Sequence, residues 1–170
     1  MNNEYDDNLQ FFEELAKLYP ELLEISQIGC SFGVGAGWNN IIDVLCCTIS
    51  SNLNSAKNRL RGATEYPRDD NGEWLEKCQA DYDKEIDELP VISQVKEKYG
   101  TLRFYVHNST DRVASLIDFA ELMSGCTCEV CGKPGKTGGN GWIRTLCIDH
   151  REPEPSEIQE GTVSPNLFDE

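Results

Sequence analysis

The chain has 170 residues, 39% hydrophobic and 26% charged, and its 15 basic and 30 acidic side chains leave a formal net charge of −15. That length supports one core and a small appended unit. A negative field of this size opposes nonspecific binding to phosphate backbones, which weighs against a protein that grips duplex nucleic acid.

The charge is unevenly spread. Residues 1–95 carry −11, residues 96–151 carry +2 and residues 152–170 carry −6. No apolar run reaches the roughly 18 residues of a membrane span, and the acidic start Met1–Asp7 lacks the basic region of a secretory signal. A cytoplasmic protein with no membrane partner is therefore expected.

Taken from the N-terminus, Leu9, Phe12, Leu15, Ala16 and Leu18 form a helical stripe that Pro20 interrupts, with one further turn expected over Glu21–Ile25. Gly29, Gly33, Gly35 and Gly37 then punctuate a stretch read as a loop. It has neither the GxGxxG spacing nor the lysine of a phosphate-cradling turn. From Trp38, the positions Ile41, Ile42, Leu45, Ile49 and Leu53 recur at helical intervals and predict a second amphipathic helix. Residues 54–71, polar and containing Gly62 and Pro67, read as a loop, and Trp74–Ile86 as a charged helix ended before Pro90. Together they make an acidic insertion at about 54–88.

Val91–Val95 is a short apolar segment. After Gly100, Leu102, Phe104 and Val106 alternate with Arg103, Tyr105 and His107, the period of a half-buried strand. Asn108–Thr110 offers caps for a third helix, whose stripe of Val113, Leu116, Ile117, Ala120 and Met123 ends at Ser124-Gly125. Beyond residue 151 the acidic, proline-bearing tail reads as disordered.

Between helix and tail stand Cys128-x2-Cys131 and, fifteen residues later, Cys147-x2-His150. Three thiolates and an imidazole make one tetrahedral zinc shell with no vacancy for water or substrate, so a single structural Zn2+ is expected. The intervening segment, with Gly138, Gly139 and Gly141, fits a β-hairpin. Cys147 and His150 on the first turn of a following helix would complete a treble-clef or zinc-ribbon finger. Cys126 could compete through Cys126-Thr-Cys128, but breaks the two-residue spacing. The chain has eight cysteines; those left over show no pairing scheme, in keeping with reduced thiols.

The segments Gly37-Trp38, Gln94-Val-Lys-Glu-Lys-Tyr-Gly100-Thr-Leu-Arg-Phe-Tyr105, Cys128-Glu-Val-Cys131-Gly-Lys-Pro-Gly135 and Gly141-Trp-Ile-Arg-Thr-Leu-Cys147-x2-His150 resemble those of a group of small phage and prophage proteins of uncharacterised function. The likeness spans most of residues 19–150; the insertion and the acidic tail depart from it. The resemblance implies a viral accessory protein in the bacterial host cytoplasm with a zinc-binding C-terminal half.

Catalytic readings find little support. With His150 assigned to metal, only His107 is left. A zinc deaminase needs His-x-Glu and Pro-Cys-x2-Cys, yet Asn108-Ser109 follows His107 and Thr127 precedes Cys128. No GxSxG elbow is present. Binding is the better expectation. Its partner is either a host protein or an anionic nucleotide ligand, held by a basic row of Lys96, Lys98, Arg103, Tyr105 and His107 with Lys133, Lys136 and Arg144 from the finger. Nucleic acid is an alternative that the net charge disfavours. The expected architecture is α+β, mostly helical with a small antiparallel sheet: a domain over 1–125, a finger over 126–151 and a tail over 152–170.

Overall fold

The computed structural model describes residues 4–24, 32–68 and 71–151. Helix α1 (Glu4–Leu18) ends at Tyr19-Pro20, and a turn over residues 20–22 follows. The expected turn reached to Ile25, which lies outside the described residues, as does the acidic tail. Strand β1 (Phe32–Gly33) leads through a 3-10 turn (Ala36–Trp38) into the long helix α2 (Asn39–Glu65). Helix α3 (Glu73–Asp87), strands β2 (Val91–Lys98) and β3 (Thr101–His107), helix α4 (Asp111–Ser124) and the short strands β4 (Lys136–Gly138) and β5 (Arg144–Leu146) complete the chain. About half of the described residues are helical.

The main sheet has the order β1-β2-β3, with β1 parallel to β2 (Phe32 opposite Val95) and β2 antiparallel to β3. It is thus mixed, and not the antiparallel sheet expected. The parallel member escaped notice because its two residues stand among glycines, and two residues cannot display a period. A bulge falls between Ile92 and Gln94. It keeps both Ile92 and Val95 on the buried side.

Residues 54–65 continue α2 and form no loop. Their polarity misleads because what holds this stretch helical is packing against α3, through the small buried side chains Ala56, Ala63 and Cys78. The described part of the acidic stretch 54–88 is accordingly the far half of α2 packed against α3, with residues 69–70 outside the described residues.

One face of the sheet is covered by α1, α2 and α4. Phe12, Leu15, Ile42 and Ile49 meet Val95, Leu102 and Phe104 there, and Trp38 is wholly buried at 0% exposure. Strand β3 is the sheet edge on the α4 side, where unpaired backbone groups would invite further pairing. Side chains of α4 close it: Ser124 Oγ accepts from the Leu102 N–H at 2.8 Å and Glu121 Oε1 from the Phe104 N–H at 3.0 Å. The predicted cap of α4 is in place, with Thr110 Oγ1 accepting from the Val113 N–H at 3.3 Å.

Candidate metal centre

The chain after α4 turns sharply at Cys128–Gly132, where the Gly132 N–H donates to the Cys128 carbonyl at 2.9 Å and Gly132 adopts φ 74°. Such a backbone favours glycine, and it aims both cysteine side chains to one side. The β4–β5 hairpin then returns the chain so that Cys147 and His150 face the first pair. His150 and Arg151 both donate backbone N–H groups to the Cys147 carbonyl at 3.1 Å. Residues 148–150 form a turn. The helix expected to start at Cys147 does not begin within the described residues.

One donor atom from each of Cys128, Cys131, Cys147 and His150 lies within 4.8 Å of every other. Cys131 Sγ is 3.6 Å from Cys147 Sγ, and His150 Nδ1 is 3.2 Å from Cys147 Sγ and 3.5 Å from Cys128 Sγ. Bonds of about 2.3 Å to sulfur and about 2.0 Å to nitrogen, set tetrahedrally, require edges of roughly 3.5–3.8 Å. The four residues are therefore close enough to hold a metal ion. Cys126 points elsewhere, its Sγ donating to the Met123 carbonyl at 3.2 Å.

Burial would raise the Cys128 thiol, but N–H groups of Cys147, Cys131 and Val130 aimed at its sulfur outweigh this and hold it down from 9.0 to about 6. The Lys133 N–H acts the same way on Cys131. There desolvation and the neighbouring thiols of Cys147 and Cys128 prevail, and the net shift is upward. One ready thiolate, Cys128, beside one reluctant thiol, Cys131, is a pair that a bound cation would hold in the charged form.

The centre is locked to the body of the protein. Trp38 Nε1 donates to the Thr127 carbonyl at 2.8 Å, and the Gly37 N–H to the Glu129 carbonyl at 2.9 Å. A Cβ on Gly37 would lie 2.1 Å from the Cys128 carbonyl oxygen, and one on Gly35 2.0 Å from that of Glu129. At the other end, Thr145 Oγ1 donates to the Gly100 carbonyl at 2.6 Å and Thr137 Oγ1 to that of Gly125 at 2.9 Å. These supporting residues were missed in the sequence. The only signal was the glycine-tryptophan pair ahead of α2, which names no partner.

The basic residues singled out in the sequence divide into three sets. Arg144 pairs with the buried carboxylate of Glu129, Arg103 with Glu121 at 3.1 Å, and Lys133 with Asp149 at 2.8 Å. Lys96 and Lys98 instead lie over the rings of Tyr105 and Tyr99, at 5.2 and 5.5 Å. Lys136 and His107 are exposed at β4 and at the end of β3.

Fold and site together define a small α+β protein with a Cys3His cluster able to hold a metal ion. No protein-family model, curated protein or solved structure matches the chain. Among the described residues, no helix is long and apolar enough to cross a membrane.

Proposed function

We propose that the chain is a zinc-stabilised accessory protein that acts by binding, with the ion in a structural role. The observation that carries this reading is the closed set of four donors joined through backbone contacts to the core. Three sulfurs and an imidazole favour zinc over magnesium or calcium, and four protein ligands leave no position for a reacting water. A turn bearing two ligands, a hairpin and a second ligand turn follow the plan of a zinc-ribbon finger more closely than that of a treble clef, which would continue into a helix. The ion's contribution there is to fix the turn on which Trp38 and Gly37 rest.

The resemblance of the chain's motifs to those of small phage and prophage proteins supports a viral origin and a target in the bacterial host cytoplasm. The role is modulation of a host factor, of the anti-defence type, through a host protein or an anionic nucleotide ligand. Elemental analysis of protein purified without chelator should find one zinc per chain, lost in Cys131→Ser and Cys147→Ser. Native protein free of metal would refute the reading. Pull-down from bacterial lysate, with mass spectrometry of bound proteins and of extracted nucleotides, identifies the target. Recovery of neither counts against both branches.

A further inference from the structure

The face of the main sheet turned away from the core is built unlike the rest of the chain. Its outward positions include Gln94, Lys96 and Lys98 on β2 and Arg103, Tyr105 and His107 on β3. In a sequence with 30 acidic side chains, none of these is an acid. Glu97, between the two lysines, folds back to accept from the Gly100 N–H at 2.6 Å. Glu121 reaches only the rim, where it holds Arg103.

Aromatic rings interleave with these cations. Tyr105 is 42% exposed beneath Lys96, and Tyr99, in the β2–β3 turn beneath Lys98, is 68% exposed. Tyr99 holds a φ of 54°. A two-residue turn with both φ values positive is best served by Asn-Gly, and a bulky ring there is strained. The strain secures no packing, since the ring stands in solvent. Gly100 beside it rests on the finger: a Cβ there would be 3.0 Å from the Arg144 carbonyl carbon and 3.1 Å from Thr137 Cγ2. Two residues before Arg144, Trp142 is 75% exposed at the hairpin tip, and next to Thr137 stands exposed Lys136.

We infer that this surface, from Tyr105 through Tyr99 to Trp142, binds a short single-stranded nucleic acid. The inference rests on the binding reading above and names its partner class. Bases stack on exposed rings without regard to sequence, while Lys96, Lys98 and Lys136 follow the phosphates. Tyr105, Tyr99 and Trp142 stand exposed on a strand, a turn and a hairpin tip in succession, which suits an extended strand better than one enclosed nucleotide. The acidic remainder of the molecule limits the contact to a few nucleotides by repelling a longer polyanion.

The test uses zinc-loaded full chain and a fluorescein-labelled octamer of uridine or thymidine, read by fluorescence anisotropy over a salt series. Binding at low salt is expected, weakened about ten-fold by Tyr105→Ala and by Trp142→Ala. Replacing Lys96 and Lys98 together by Ala should lower the slope of log K against log salt by about 1. Tyr99→Asn gives the sharpest result: melting temperature equal or higher, affinity lower. Tyr66→Ala, at the end of α2, should change nothing.

Absence of binding by protein that carries its zinc overturns this inference and leaves the metal reading standing. Binding by native protein that elemental analysis finds free of metal does the reverse. Octaglutamate bound as tightly as the octamer, with Tyr105→Ala without effect on either, would assign the face to an acidic protein and overturn the inference as well.

Discussion

Two glycines of α2 and its preceding turn make opposite demands on a methyl group. At Gly37 a Cβ would meet the Cys128 carbonyl oxygen at 2.1 Å and the Gly132 nitrogen at 2.6 Å, whereas at Gly62 it would meet nothing within 4 Å. Gly37→Ala should therefore destabilise by about 2–3 kcal/mol through overpacking and lower zinc affinity. Gly62→Ala, in a helix interior, should stabilise by up to about 1 kcal/mol. Urea titration of both variants checks the contrast, and equal effects would contradict the docking of the ligand turn on Gly37. The Cys128 thiol adds a pH dependence. Its value falls from 9.0 to about 6 on folding, so its contribution is fully present above pH 9 and is lost as pH drops through about 6. Zinc retention against a competing chelator should fall in the same acidic window; retention unchanged well below it would exclude thiolate ligation. At this scale the clustering of Cys128, Cys131, Cys147 and His150 was legible, because residue type and spacing are local. The pairing of Arg144 with Glu129 was not, since charge alone does not say which cation a fold will neutralise.

The elements were legible where a period could repeat. Strand β3 shows its alternation over seven residues, and α4 both its stripe and its cap. The far half of α2 was not legible, because asparagine, glycine and threonine at residues 54, 58, 62 and 64 have low helix propensity. There, a neighbour decides the structure. The edge of β3 shows the same dependence on a second element, since its outward N–H groups are satisfied by side chains of α4 and not by a fourth strand. Ser124→Ala would leave the buried Leu102 N–H without its acceptor, at a cost of about 1–3 kcal/mol. Thermal melting measures it, and hydrogen exchange at Leu102 should accelerate. A variant as stable as the parent, with exchange unchanged, would show that α4 does not seal this edge.

For the molecule as a whole, α+β class and a C-terminal ligand cluster could be read from the chain, but the depth to which the cluster is tied into the core could not. That tie is made of backbone atoms of Gly35, Gly37, Gly100 and Gly125 meeting the finger, and glycines announce no partner. Metal removal should thus be felt in the core. The chain has three tryptophans; with Trp74 and Trp142 replaced by Phe, the remaining Trp38 emission should shift to the red on chelation, and zinc should restore it. An unshifted band would mean that finger and core are energetically separate. Trp38 also bears on how the protein is made. The carbonyl that takes its indole hydrogen belongs to a residue 89 positions further along, so on the ribosome the largest side chain of the core waits for most of the chain to be synthesised. Until the finger has emerged and docked, the nascent protein carries an unsealed interior, and on the proposed zinc reading docking waits for the ion. Its yield in a cell should depend on zinc supply during translation as much as on the finished fold.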